Sequence, residues 1–253
     1  MNNQNPYSPY HDAIDVGGYQ ESVVNAYVAK VFGWMFFGLL VTAITSFAVI
    51  FGISASPAFA EMINGLMSIF IVVFIVKVIA VGWLSARVGD MNPAVAKAIY
   101  ISYAVVNGFT FGFVAILFAV QIGGLYTLAM AFGITAVSFG VMAVYGLTTG
   151  KDLTQFSSLL TMGLFGIIIA GVANWFIGSS MLDFLICVVG LFIFLGLTAK
   201  DTYRIKHQFA RVSVEDGTES RLASNLAILG ALMLYLNFIN MFMFILRLLG
   251  RNR

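Results

Sequence analysis

The chain has 253 residues, of which 60% are apolar and 9% are charged, and its formal net charge is only +2. Soluble domains carry about 25% charged residues, so a water-soluble protein of this composition could not cover its surface with polar groups. The small net charge and the lack of a basic patch argue against nucleic-acid binding, and no motif for a metal ion, a hydrolase nucleophile or a nucleotide phosphate occurs. The sequence therefore predicts an integral membrane protein that is not an enzyme, without a cofactor, a metal site or catalytic residues.

The first 30 residues are polar, with three acidic side chains and one lysine. They lack the basic start and the short apolar core of a signal peptide. The first apolar run begins at residue 31 and is long enough to remain in the bilayer as an anchor. We therefore divide the chain into a polar cytoplasmic segment, 1–30, and one transmembrane domain, 31–250.

The chain contains seven apolar runs, counting the one that begins at residue 31. A helix needs about 20 apolar residues to cross roughly 30 Å of hydrocarbon, so each run is a candidate transmembrane helix. Residues typical of turns separate most of these runs, and the only long charged connection is 200–221. The third run contains Gly108 and Gly112, a GxxxG pattern suited to close helix packing. The sequence thus predicts an all-α bundle of seven transmembrane helices. The predicted spans are 31–53, 63–84, 94–122, 125–147, 156–177, 181–199 and 222–249.

Lysine and arginine indicate the orientation, because cytoplasmic loops are enriched in them. With the N-terminus inside, the cytoplasmic connections carry nine of the 13 basic residues, and the opposite connections carry none. The sequence therefore predicts a cytoplasmic N-terminus. The exception is the C-terminal tail, whose Arg247, Arg251 and Arg253 would lie outside. Either this tail breaks the rule, or the last helix does not cross the bilayer fully.

Lys77 interrupts the second span, although a charged side chain in mid-bilayer costs about 2.5–3.5 kcal/mol. One interpretation is a lysine that snorkels toward the interface. The other is a buried partner for an acid on another helix. Tyr103, Asn107 and Thr110 form a weaker polar stripe on the third span, for which core packing is the simpler interpretation.

Polar residues also mark the sixth and seventh spans. Asp201 follows the sixth span, three residues before Arg204. The two could form an exposed ion pair worth about 0.2–0.5 kcal/mol, or Asp201 could lie as an acid at the cytoplasmic mouth of the bundle. Asn237 and Asn240 share one face of the last span. Amides in mid-membrane should point inward, with interhelical hydrogen bonds of about 0.6 kcal/mol as their simplest role.

Four segments, in the right order and spacing, resemble the Bax inhibitor-1 family of membrane proteins, and its bacterial branch most of all. The resemblance covers nearly the whole chain, from the polar N-terminus to the charged segment before the last helix. The four segments are NGFTFG at 107–112, YGLTTGKDLT at 145–154, GLTAKDTYRIK at 196–206 and LYLNFINMF at 234–242.

The resemblance implies a bundle of six helices around a central C-terminal helix. In the calcium-leak members of the family, an aspartate on the sixth helix and one on the seventh form a pH-sensitive latch, and an arginine at the cytoplasmic end of the second helix can pair with the first aspartate. By position, Asp201 matches the first aspartate and Arg87 matches the arginine. Asn237 stands where the second aspartate would be, three residues before Asn240. Lys77 lies close to the place of an acid in the second helix.

These departures bear on the function that the resemblance implies. Two neighbouring carboxylates can share a proton, whereas an amide cannot titrate, so the latch cannot work here in that form. Ca²⁺ takes six to eight oxygen ligands, usually with several carboxylates, so Asp201 near Lys77 or Arg87 makes a poor calcium path.

Two functions therefore remain open. The first is regulation in the bacterial inner membrane through contacts with membrane proteins, for instance a membrane-bound AAA protease of quality control. The alternative is a pH-sensitive calcium or cation leak, whose partners would be Ca²⁺ or H⁺ in addition to the lipid bilayer. An intramembrane enzyme is disfavoured, because the spans carry no Ser/His pair and no cluster of metal ligands.

Overall fold

The computed structural model describes residues 18–56, 61, 65, 70–87, 91–121, 124–216 and 221–251. These residues are helical apart from short turns, and no strand occurs among them, which confirms the all-α prediction. A short 3₁₀ turn, Leu153–Phe156, precedes the fifth long helix. The long helices are α1 (Gly18–Ala55), α2 (Phe70–Arg87), α3 (Pro93–Gln121), α4 (Gly124–Thr148), α5 (Ser157–Ile177), α6 (Ser180–Asp216) and α7 (Arg221–Arg251).

Six of these helices are long and apolar enough to cross a membrane, counted over the described residues. The remaining one, α2, has 18 described residues and is therefore about 27 Å long. The predicted second span began at residue 63, and of its first seven positions only Gly65 is described. The architecture is that of a helical membrane bundle.

Two helices are longer than the apolar runs that predicted them. α1 begins at Gly18 instead of residue 31, because Val24, Tyr27 and Val28 place an apolar stripe at helical spacing against the core. α6 continues to Asp216, so the prediction that 200–221 forms a long loop was wrong. No glycine or proline occurs between Lys200 and Asp216 to end the helix there.

The C-terminal helix α7 is the core of the bundle. Fourteen of its 31 residues are buried, whereas α5 has no buried residue. It packs directly against α1, α3, α4 and α6. In the described part of the chain, α2 packs mainly on α3 and α5 on α6, so both lie at the periphery. The central position that the resemblance implied is therefore confirmed, with four of the six other helices in direct contact.

Three glycines bring two pairs of helices close together. A Cβ added at Gly108 would lie 2.5 Å from Cβ of Thr45, and one at Gly112 would lie 2.8 Å from Cβ of Val49, so the GxxxG pattern does pack α3 on α1. A Cβ at Gly146 of α4 would lie 2.3 Å from the carbonyl oxygen of Ala199 on α6. This last contact is next to Asp201.

Long-range contacts define the two ends of the bundle. Asn225 donates to the carbonyl oxygen of Met91 at 2.7 Å, and Lys206 donates to that of Leu147 at 2.9 Å. We call this end, with the starts of α3 and α7 and the ends of α4 and α6, the charged face. At the other end, the opposite face, Arg247 of α7 pairs with Asp183 in the first turn of α6. α7 therefore extends from one end of the bundle to the other.

Candidate functional site

The contact between α6 and α7 contains a buried carboxylate. Asp201 is only 7% exposed and Asn237 only 4%. The Nδ2 of Asn237 donates to Oδ2 of Asp201 at 2.9 Å, and Nζ of Lys200 lies 3.0 Å from Oδ1 of Asp201. Both oxygens are thus engaged, one by an amide and one by a cation. A buried charge is tolerated when it is paired and hydrogen-bonded in this way.

The structure decides between the two interpretations of Asp201. The ion pair is with Lys200, and the carboxylate is buried, whereas Arg204 is exposed. The interpretation as an exposed surface pair with Arg204 was therefore wrong. Helix α6 turns Asp201 toward α7, where the neighbouring hydroxyl of Thr202 is already satisfied by the carbonyl oxygen of Thr198 at 2.8 Å.

The other residues of the predicted latch lie apart from this pair. Arg87, at the end of the peripheral helix α2, is exposed, and no ion pair joins it to Asp201, although the structure describes both side chains. Asn240 is half-buried and donates from Nδ2 to the carbonyl oxygen of Leu236 in its own helix at 2.8 Å. The two asparagines of α7 therefore differ: Asn237 joins two helices, whereas Asn240 makes a bond within one.

Lys77 belongs to a second polar cluster, between α2 and α3. It is half-buried, and its Nζ donates to Oδ1 of Asn107 at 2.7 Å and lies 3.4 Å from Oγ1 of Thr110. Lys77 thus points to neighbouring side chains instead of snorkelling, and these partners are a neutral amide and a hydroxyl instead of an acid. The stripe that the sequence assigned to core packing supplies both.

The second cluster continues through the bundle to α7 and α1. The Asn107 side chain also lies close to the hydroxyl of Tyr235 on α7. That hydroxyl is 2.7 Å from Oγ1 of Thr42 on α1, which in turn donates to the carbonyl oxygen of Ala104 at 3.0 Å. Tyr235 and Asn237 stand two residues apart on the same helix, so α7 contacts both clusters. The sequence did not single out Lys200, Thr42 or Tyr235. Lys200 and Tyr235 lie in segments that carry the family resemblance, 196–206 and 234–242, whereas Thr42 carries no such signal.

Toward the opposite face, the bundle contains a largely apolar space. A cavity of about 540 Å³ lies there between α1, α3, α4 and α7. Among its fifteen lining residues only Thr42 and Ser46 have polar side chains. The Ser46 hydroxyl is bonded to the carbonyl oxygens of Thr42 at 2.8 Å and Gly108 at 2.9 Å. Of these two hydroxyl residues only Thr42 belongs to the cluster around Lys77, and no residue bonded to Asp201 lines the cavity.

Comparison with known proteins decides the family. The family model described as inhibitor of apoptosis-promoting Bax1 matches residues 24–253. The chain belongs to the Bax inhibitor-1 family. YbhL, an inner membrane protein of Escherichia coli K12, is 33% identical over 230 residues, covering 91% of this chain and 93% of YbhL.

Other relatives of this Bax inhibitor-1 protein come from distant bacteria. A protein of Borreliella burgdorferi is 36% identical over 231 residues, covering 91% of this chain and 94% of its own. A membrane protein of Streptococcus pyogenes is 31% identical over 232 residues, covering 90% and 94%. These matches span nearly the full length of each protein and agree with the six membrane-length helices, so this family member is an integral membrane protein.

The second cluster of this Bax inhibitor-1 protein can be tested with a double-mutant cycle. We expect Asn107→Leu to lower the free energy of unfolding by about 1–3 kcal/mol, because Lys77 loses its closest acceptor inside the bundle. Lys77→Met removes the charge itself and should cost less. The double variant should be no less stable than Asn107→Leu alone. The measurement is unfolding of the purified protein in mixed detergent, and strictly additive effects would contradict the pairing of Lys77 with Asn107.

Proposed function

We propose that this Bax inhibitor-1 protein is a non-enzymatic regulator that acts by contact with other proteins of the bacterial inner membrane, such as a membrane-bound AAA protease of quality control. The observation that carries the proposal is the state of Asp201. Its two oxygens are held by Asn237 and Lys200, so the carboxylate is compensated inside the protein. No second carboxylate is buried among the described residues.

This arrangement supports a regulator over a calcium path for three reasons. Ca²⁺ needs six to eight oxygen ligands, and Asp201 alone supplies two that are already bonded. Lys77 adds a positive charge between α2 and α3 with neutral partners. The cavity toward the opposite face offers a cation only two hydroxyls. Each of these raises the cost of moving a divalent cation through the bundle.

The charged face supplies a surface for a protein partner. α6 has 37 residues and is therefore about 55 Å long, well beyond the roughly 30 Å of hydrocarbon. α1, with 38 residues, is longer still. Helical turns of both thus extend past the bilayer at the charged face, which we place in the cytoplasm together with the N-terminus. The soluble domain of a membrane-bound protease would meet the protein there.

A pH-sensitive leak for Ca²⁺ or H⁺ is the second candidate. The burial of Asp201 and Asn237 at the α6–α7 contact favours it, because a buried polar contact between two helices is the kind of element that can switch between two packings. The two candidates differ in what purified protein does in a bilayer without any partner.

Flux from liposomes that contain only the purified protein separates the candidates. We expect the wild type to release little Ca²⁺ at either mildly acidic or mildly alkaline pH, because the bundle offers Ca²⁺ too few oxygen ligands. The Asp201→Asn variant should release equally little. A strong wild-type release that Asp201→Asn abolishes would overturn the regulator proposal in favour of the leak.

The proposed contact with a membrane-bound protease is tested in bacterial membranes. We expect the protein to co-purify with a membrane-bound AAA protease after crosslinking, and the protease to degrade its substrates at a different rate when the protein is removed. The Asp201→Asn variant serves as a matched comparison, since it alters the buried pair and leaves the charged face intact. Unchanged degradation rates together with no crosslinked protease would contradict the proposal.

A further inference from the structure

A groove at the opposite face lies between the first turns of α6 and the last turns of α7. Its volume is about 410 Å³, and its walls are apolar except at one end. Because α6 begins and α7 ends there, the groove extends from the end of the bundle along these two helices. The lining residues are Met181, Phe184, Val188, Leu248, Leu249 and Arg251.

The charges at the end of this groove do not cancel. Arg247 pairs with Asp183, which neutralises both. Arg251 donates to the carbonyl oxygen of Ser180, and its guanidinium lies 5.1 Å from the ring centroid of Phe184. Among the described residues no carboxylate pairs with Arg251. A guanidinium has five N–H donors, so most of its hydrogen-bonding capacity remains for a ligand.

We propose that this groove binds one anionic glycerophospholipid, with its phosphate on Arg251 and an acyl chain along the apolar wall. Arginine binds phosphate through paired hydrogen bonds, and the ring of Phe184 holds the guanidinium in a fixed orientation. An acyl chain fits the walls formed by Val188, Leu248 and Leu249, whereas a free soluble anion would leave them uncovered.

The charge balance specifies the head group. A zwitterionic lipid brings its own ammonium group, which competes with Arg251 for the phosphate. An anionic lipid such as phosphatidylglycerol has no such group and compensates the unpaired guanidinium. Such a lipid also gives a reason for basic residues on the face where the rule for lysine and arginine predicts few.

Lipid retention by the full-length protein tests the site. We expect native mass spectrometry of the detergent-solubilised wild type with added phosphatidylglycerol to show a bound lipid, and Arg251→Gln to weaken its binding roughly tenfold. Arg251→Lys should retain part of it. Lys151→Gln, which removes an exposed cation at the charged face, is the matched control and should bind as the wild type does.

Three results would overturn the proposal. The first is equal lipid retention by Arg251→Gln and Lys151→Gln. The second is equal binding of phosphatidylcholine and phosphatidylglycerol by the wild type, which would remove the role of the head-group charge. The third is equal thermal stabilisation of the wild type by inorganic phosphate and by phosphatidylglycerol, which would indicate an anion site without an acyl chain. Val188→Trp, which fills the groove and keeps Arg251, should also displace the lipid.

Discussion

The Asn237→Asp variant is expected to lose thermal stability as pH rises and to release more Ca²⁺ from liposomes than the wild type does. The substitution replaces an N–H donor 2.9 Å from Oδ2 of Asp201 by a second carboxyl group. At low pH the two carboxyl groups share a proton, and the contact between α6 and α7 persists. When both are ionised they repel each other inside the bundle, where charges are poorly screened.

The direction of this pH dependence follows from proton binding. The folded variant holds the shared proton more tightly than the unfolded chain does, so the folded state binds more protons and its stability falls as pH rises. Breaking a buried charged contact costs about 3–5 kcal/mol, which sets the scale of the loss at alkaline pH. Thermal unfolding in detergent, followed by tryptophan fluorescence across a pH series, measures it.

An exchange of the two residues is the matched control. The double variant Asn237→Asp with Asp201→Asn again places one amide opposite one carboxylate, so we expect a pH dependence close to that of the wild type and no added leak. If the double variant has the same steep pH dependence as Asn237→Asp, repulsion between the two carboxylates is not the cause. If Asn237→Asp shows no pH dependence at all, the close contact between residues 201 and 237 is itself contradicted.

The second large effect is expected for Gly146→Ala. The new methyl group would lie 2.3 Å from the carbonyl oxygen of Ala199, and neither backbone can move without separating α4 from α6. Overpacking of this kind costs about 1–3 kcal/mol. We expect a lower melting temperature and a lower yield of folded protein, measured by thermal unfolding and by size-exclusion chromatography.

Gly140→Ala on the same helix provides the control. No atom lies within 4 Å of a Cβ added at Gly140, so alanine has room there. Because alanine favours helix over glycine by roughly 0.5–1 kcal/mol, this variant should be as stable as the wild type or slightly more stable. Equal destabilisation by both substitutions would show that α4 responds to any lost glycine, and that the contact with Ala199 has no special weight.

The sequence predicted the helices better than their ends. Runs of apolar residues report the part of a helix that lies in hydrocarbon, so they located the membrane part of α1 and α6. They could not show that α1 begins at Gly18 or that α6 continues to Asp216, because a helix that leaves the bilayer continues on helical propensity and local packing. Val24, Tyr27 and Val28 do have helical spacing in the sequence. They lie within a polar stretch, however, so the hydropathy pattern alone did not predict a helix there.

The site was predicted in its central pair and missed in its partners. The family resemblance placed Asp201 opposite Asn237, and the structure brings the two side chains together. It could not identify Lys200 as the counter-ion, because adjacent residues of a helix point in different directions and only a long flexible side chain can bridge them. Lys77 was recognised as unusual, yet its neutral partners follow from the packing of α2 on α3, which no single segment encodes.

The central position of α7 has a consequence for the biogenesis of the protein. The helix with the most buried residues in the described part of the chain is the last of the seven to be synthesised, so α1, α3, α4 and α6 enter the bilayer before the segment that fills the space between them exists. Until then, the side chain of Asp201 has neither Asn237 nor the rest of α7 beside it. A chain truncated before residue 221 would insert six helices but lack the helix that forms the core. We expect these helices to remain in the membrane without packing into the bundle.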